Sequence, residues 1–296
     1  MIFEVEPGRI WGIDSGLGHE RCTAVYVLRA AAGWVLIDCS AAACSPRVLA
    51  GLAEIGVDAL VGILPTHVHL DHAGGAGVIS AQFPGAKVIA HPRAARHLAN
   101  PSRLVAGARE VWGAERFAAL YGETLPVPED RLVVAEDGDE YFGLRFFDAP
   151  GHARHHYMVW DETSGTLFAG DAFGLAYEGG VSYPSSSPVQ FDPDAARATI
   201  RQIVDLKPER VAIAHFGVLQ DVAARAEQLI EMLDEFEAVA RRYEREPDRV
   251  PRIREALREL HPPNANRERY ETDIEINADG LDFWLRSQSA GYSKSS

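Results

Sequence analysis

The stretch 66-THVHLDH-72 places three histidines and an aspartate within six positions. Ionisable side chains gathered this closely are costly to bury unless they are paired or metal-bound. Imidazole nitrogen and carboxylate oxygen are the usual ligands of zinc, and they also suit iron and manganese. The stretch follows 60-LVGIL-64, a short apolar run that reads as a buried strand. In an extended segment His67 and His69 point to one face. Asp71 and His72 fall where the chain turns into a helix expected over Ala73–Gln82. One loop therefore aims ligands at two neighbouring points, at the C-terminal end of a strand, where open α/β sheets place their ligands.

Outward from this loop, the chain alternates in type. Strands are expected at Ala24–Arg29 and Trp34–Asp38, around an Ala-Ala-Gly turn, and a helix from Pro46 to Ile55. After 87-KVIAH-91, another strand, residues 93–121 read as helical with a break near Asn100-Pro101. Strands return at Arg131–Ala135, Tyr141–Asp148, Tyr157–Asp161 and Thr166–Ala169. A long irregular stretch containing 183-YPSSSP-188 follows Asp171, and long loops in compact domains are commonly functional. Asp192 reads as an N-cap with Pro193 at the first helical position, for a helix ending near Leu206. The strand 210-RVAIAH-215 ends on a histidine. From Leu219 to Tyr243, Val222, Ala226, Leu229, Leu233, Phe236 and Ala240 form one stripe of a long amphipathic helix. More helix is expected to Leu260, a break at Pro262-Pro263, and a last helix over Leu281–Ser287. The order implies two β-sheets with helices outside, a layered α/β fold.

Three further signals occupy loops after expected strands: 149-APGH-152, 169-AGD-171 and 213-IAHFG-217. Each is weak alone. With HxHxDH, and in this order, they resemble the metallo-β-lactamase-fold hydrolase superfamily over about the first two-thirds of the chain. Within it the ligand set is similar to that of glyoxalase II and the lactonases, in a poorly characterised prokaryotic branch. The resemblance implies a four-layer αββα sandwich over residues 1–218, with the helical insertion near 93–121, and a helical C-terminal extension over 219–296. It implies a dinuclear centre: His67, His69 and His152 on the first metal, Asp71, His72 and His215 on the second, and Asp171 bridging both. Zinc is the first expectation for the two divalent ions, with iron or manganese as alternatives. Asp38, in 35-VLIDCS-40, matches the superfamily's early structural aspartate and is expected to support the ligands; a plain turn role is the alternative.

Two such cations make hydroxide available near neutral pH and polarise an electrophile's oxygen. The implied function is hydrolysis of an ester, thioester, lactone or phosphoester bond of a small molecule. Asp71 is a candidate for orienting the nucleophile or accepting its proton. His155, which follows His152 closely, and Tyr183, in the long loop, are candidate donors to substrate oxygen, with an aromatic loop anchor as the other reading of Tyr183. His156 and Tyr177 are candidates of the same kinds. The bridging position is aspartate, unlike the zinc β-lactamases that use cysteine there. The interval from Asp171 to His215 is too short for the inserted domain of the nuclease branch. No basic cluster matches the glutathione-binding residues of glyoxalase II. The competing classes are an iron oxidoreductase of the same fold, like the sulfur dioxygenases, and a metal-binding protein without turnover.

Composition narrows the partners. The formal charge of −14 disfavours phosphate backbones and anionic lipid, so neither nucleic acid nor membrane is expected. The three cysteines, Cys22, Cys39 and Cys44, form no CxxC pair and read as buried thiols in a reducing compartment. The N-terminus does not resemble a signal peptide, and Leu60–Leu64 is too short to cross a bilayer, so the expected location is cytoplasmic. The C-terminal helices are expected either to cover the pocket or to form a homodimer interface.

Overall fold

The parallel arrangement of β4 (Gly33–Ile37) and β5 (Leu60–Leu64) sets the position of everything that follows, because both strands end where the ligand-rich loop begins. The computed structural model describes residues 1–177, 180–260 and 267–289. His261 and the Pro262-Pro263 break lie outside the described residues.

The first sheet runs, in spatial order, β1 (Ile2–Glu6), β2 (Ile10–Asp14), β3 (Ala24–Ala30), β4, β5, β6 (Lys87–Ala90) and β7 (Leu132–Val134). Pairings up to β4 are antiparallel and those from β4 onward are parallel. Parallel neighbours need long crossovers. These are α1 (Ser45–Ile55), then α2 (Leu70–Ala73) with α3 (Ala76–Gln82), then α4 (Ala95–Ala99), α5 (Ser102–Trp112) and α6 (Ala114–Tyr121). The second sheet comprises β8 (Glu140–Tyr141), β9 (Leu144–Asp148), β10 (Tyr157–Asp161), β11 (Thr166–Gly170), β12 (Arg210–Ile213) and β13 (Gly217–Leu219). Its spatial order is β13-β12-β11-β10-β9-β8, with β11 and β12 parallel. Between these two the chain forms α7 (Pro193–Asp205); after β13 come α8 (Val222–Arg242), α9 (Arg249–Leu260) and α10 (Arg267–Ser289).

The chain divides into two compact units that do not follow its order. The first contains both sheets: Met1–Asp148, His155–Gly170 and Pro208–Gln220. Its core joins β-branched and aliphatic residues of the first sheet to α1 and α3, through Val27, Leu36, Val48, Leu52, Ile63 and Ile79. The two sheets meet through aromatic side chains. Tyr26 packs on Phe168, and the Tyr157 hydroxyl donates to the Ile89 carbonyl at 2.7 Å. The second unit contains Ala149–Arg154, Asp171–Lys207 and Asp221–Ser296. There the Asp192 side chain caps α7 by accepting from the backbone of Asp194 and Ala195, with Pro193 opening the helix. The apolar stripe of α8 is buried at all six expected positions.

The structure departs from the sequence reading in several places, and the single strand expected over Tyr141–Asp148 is a tight antiparallel hairpin of β8 and β9. Strands β1 and β2 are additional: five residues each, they hairpin at Pro7-Gly8, with Gly8 at φ +71°. The helix expected from Leu219 starts at Val222, because Gly217–Leu219 pairs with β12 instead. The helix expected over Ala73–Gln82 starts only at Ala76, after a separate short helix at Leu70–Ala73; between them a β-carbon at Gly75 would overlap the Cys39 carbonyl oxygen. The last helix covers Arg267–Ser289 rather than Leu281–Ser287; buried polar residues, Asp273 and Asn277, interrupt its apolar period and hide it from a hydrophobicity reading. Among the described residues no helix is long and apolar enough to cross a membrane.

Tyr26 ties the fold to the end of β12. Its buried hydroxyl lies 2.6 Å from the Ile213 carbonyl and 2.8 Å from the Gly217 carbonyl, on either side of His215. Burial and the nearby Asp38 push its pKa well above the ordinary tyrosine value, so it stays a donor. Tyr26→Phe leaves buried carbonyl oxygens without their donor. The expected cost is about 1–3 kcal/mol of stability, read as a lower urea midpoint at unchanged slope.

Candidate metal centre

In the first unit the ligand loop hangs on one buried carboxylate. Asp38 follows β4 in the left-handed region, at φ +58°, which aspartate tolerates better than most residues. Its Oδ1 accepts from the Thr66 backbone N–H at 2.7 Å and from the Thr66 hydroxyl at 2.9 Å. Its Oδ2 lies 3.0 Å from His72 Nδ1. The expected supporting role of Asp38 thus has a specific geometry.

These bonds assign the imidazole tautomers. His72 donates Nδ1–H to Asp38, which leaves the Nε2 lone pair facing inward. The Thr66 hydroxyl spends its hydrogen on Asp38, so at 3.2 Å it accepts from His67 Nδ1–H. His67 Nε2 then faces His69 Nδ1 at 3.0 Å. His215 Nδ1 lies 2.9 Å from the Cys22 carbonyl, with Thr23 Oγ1 at 3.3 Å, and this directs its Nε2 inward as well.

Asp71 sits in the first turn of α2. Its Oδ2 is 3.4 Å from His215 Nε2 and 3.7 Å from His72 Nε2. The ligand atoms of these three residues all lie within 4.8 Å of one another. Desolvation pulls the Asp71 carboxyl upward, yet His72, His215 and His69 outweigh it and hold the group well below the usual carboxylate range. One carboxylate oxygen and two imidazole nitrogens, atoms of the kind that ligate metals, thus converge in one place. A cation satisfies all three, so the residues fit a divalent metal.

His155 and His156 belong to the same unit. Tyr157 N–H donates to the Thr66 carbonyl at 2.9 Å, which draws the residues before β10 to the ligand loop. The His155 ring lies edge-on to His69 at 5.5 Å and parallel to His67 at 6.1 Å. His156 stacks on His67 at 4.7 Å. Both rings are buried.

The second unit holds His152 and Asp171. His152 Nδ1–H donates to the Ser185 carbonyl at 2.9 Å, and its Nε2 lies 3.5 Å from Asp171 Oδ2. The Ser185 hydroxyl is also 3.5 Å from that oxygen. Tyr183 is buried, and its hydroxyl donates to Asp273 Oδ2 at 2.8 Å, the geometry of a loop anchor rather than of a donor aimed at substrate. Sequence reasoning missed Thr66, the Cys22 carbonyl and the Ser185 carbonyl. Thr66 was accessible as the residue opening the motif, opposite Asp38 on adjacent parallel strands. The carbonyls leave no mark on a sequence.

A family model described as the metallo-beta-lactamase superfamily matches residues 22–215. The metallo-beta-lactamase fold-containing protein ST1585 of Sulfurisphaera tokodaii is 30% identical over 170 residues, covering 55% of this chain and 63% of that protein. Its crystal structure superposes with a TM-score of 0.71 at 25% identity, over 93% of this chain and 99% of that one. A hydroxyacylglutathione hydrolase of Thermosynechococcus vestitus is 29% identical over 140 residues, 45% of this chain and 44% of its own. The structure of TTHA1623 in a di-iron-bound form covers 70% of this chain and 93% of its own, at 25% identity and a TM-score of 0.55. These likenesses accord with the mixed α/β architecture of two sheets and flanking helices.

Removing the acceptor that orders the His72 tautomer has a defined consequence. Asp38→Ala is expected to lower zinc affinity about 10- to 100-fold, as for other groups that orient metal ligands. Asp38→Asn is expected to be no milder, because its amide either opposes His72 Nδ1–H with a second donor or displaces Thr66. Competition against a chromophoric chelator measures both; wild-type affinity in Asp38→Asn contradicts the assignment.

Proposed function

The chain belongs to the metallo-beta-lactamase superfamily, and on that premise we propose that it is a hydrolase dependent on two divalent metal ions, acting on an ester, thioester, lactone or phosphoester of a small molecule. The observation that carries the reading is the convergence of Asp71, His72 and His215, with each histidine's Nδ1 committed elsewhere. On this reading His67, His69 and His152 would hold one ion and Asp71, His72 and His215 the other, with Asp171 shared between them. Zinc suits the nitrogen and oxygen donors, as do iron and manganese. The di-iron form of TTHA1623 keeps iron among the candidates.

When bound, such a pair of ions supplies an acidified water and a Lewis acid for the electrophile's oxygen. The chain's own residues do the rest. Asp71 orients the attacking water and accepts its proton at the carboxylate oxygen that it does not give to the metal. Asp38 and Thr66 keep the His72 and His67 rings from rotating. His155, whose ring lies edge-on to His69, is our candidate donor of a hydrogen bond to substrate oxygen. Tyr183 is left out of the chemistry, since its hydroxyl hydrogen goes to Asp273. The likeness to a hydroxyacylglutathione hydrolase supports placing an acylglutathione among the first substrates tried.

The test is a panel of esters, thioesters, lactones and phosphoesters, run on protein of measured metal content. Turnover that disappears on chelation and returns with metal is expected. Asp71→Asn should lower kcat by about 10²-fold or more, the usual scale for losing an acid–base group. Equal behaviour of metal-free and metal-loaded protein across the panel sinks the proposal, as does full activity in Asp71→Asn. One iron per chain with oxygen consumption would replace hydrolysis by an oxidation.

A further inference from the structure

The C-terminal helix α10 presents Asp273, Asn277 and Gly280 along one face, at spacings of four and three residues. All three are buried. Each meets the loop of residues 183–186 in the second unit. Tyr183 donates to Asp273, and Arg269 pairs with the same carboxylate at 3.0 Å. A β-carbon at Gly280 would overlap the Ser186 carbonyl oxygen. Asn277 Oδ1 accepts from the Ser186 backbone N–H at 2.7 Å and from the Ser186 hydroxyl at 3.0 Å.

The Ser186 N–H and the Ser185 carbonyl belong to one peptide group. On its oxygen side that group accepts from His152 Nδ1–H at 2.9 Å. On its nitrogen side it donates to Asn277. A peptide bonded at both ends is polarised, so each hydrogen bond strengthens the other, most of all in a buried setting. More electron density on the Ser185 oxygen makes the His152 imidazole a better electron donor at Nε2, the atom facing Asp171.

We infer that Asn277 of α10 is a positioning residue for the metal ligand His152, acting through the Ser185–Ser186 peptide. The inference rests on the reading of His152 as a ligand. It gives the C-terminal helix a part in the chemistry of the centre that packing alone would not: it sets the tautomer, the orientation and the donor strength of one imidazole. Nothing else on the 273–280 face does this directly, since Asp273 and Gly280 shape the loop whereas Asn277 bonds the peptide that His152 uses.

The experiment uses the full-length protein and zinc alone, with affinity measured by chelator competition in wild type, Asn277→Leu, Asn277→Asp and Leu52→Ala. Leu52 is buried in α1 of the first unit, and its truncation lowers stability without touching the loop. Asn277→Leu keeps the volume and removes the acceptor. It is expected to lower zinc affinity about threefold to tenfold, one step weaker than the loss of a group bonded directly to a ligand. In the metal-free protein its His152 Nδ1–H proton resonance moves upfield. Asn277→Asp keeps the acceptor and is expected to stay within about twofold of wild type, and Leu52→Ala likewise. Asn277→Ala carries the same expectation as Asn277→Leu if the larger side chain prevents folding. Unchanged zinc affinity and an unmoved proton resonance in the acceptor-less variants overturn the inference while leaving the ligand reading intact. An equal loss in Leu52→Ala also overturns it, by showing that stability alone accounts for the effect. A wild-type chain that takes up no zinc, iron or manganese overturns the ligand reading itself.

Discussion

A single buried carboxylate holds the ligand loop in shape. Asp38 takes hydrogen bonds from two atoms of Thr66 and faces one atom of His72, at the point where two parallel strands end side by side. A charge this deep is tolerable only when its lone pairs are used. The requirement works in both directions. The loop gains fixed backbone and side-chain positions, and the carboxylate gains partners for its buried oxygens. The order of the first sheet follows from the same constraint, since β4 and β5 must be neighbours in register for Asp38 to reach Thr66.

Most of the sheet architecture was legible because it rests on local signals. The strand at Leu60–Leu64, the Asp192-Pro193 helix start and the α8 stripe each carry a pattern whose physics is short-range. The N-terminal hairpin carried weaker signals: its first strand is half exposed and bulged, and both are only five residues long. Helix α10 was read at barely a third of its length because buried Asp273 and Asn277 break the apolar period. Their burial makes sense only with the loop at 183–186 in place, which no window of sequence contains. The gap at Gly74-Gly75 is similar: two glycines look like weak helix formers until the Cys39 carbonyl is seen against Gly75 and the backbone of Ala41 and Ala42 beside Gly74.

The site shows the same division. Asp71, His72 and His215, which converge within the first unit, could be named from motif order, but the groups behind the histidines could not. His215 and His152 are both oriented by main-chain carbonyls, of Cys22 and Ser185. Any residue carries a carbonyl, so these positions admit substitution while their backbone path does not. The Cys22 thiol, the most conspicuous chemical group on that segment, is buried, and what serves His215 is its peptide.

The bond between Cys22 and His215 spans 193 positions of the chain. Thr66, Asp71 and His72, by contrast, lie within seven. An unfolded chain therefore keeps one cluster of imidazoles and a carboxylate close together, able to hold a metal weakly without any tertiary structure. A bound ion stabilises the folded protein only by the difference between its affinities for the two states. On the proposed ligand set that difference comes from the distant partners, above all His215, and from the fixed tautomers. The protein's thermal resistance in the presence of metal thus measures how well β12 is docked beside β11, more than how tightly the histidine-rich loop grips the ion.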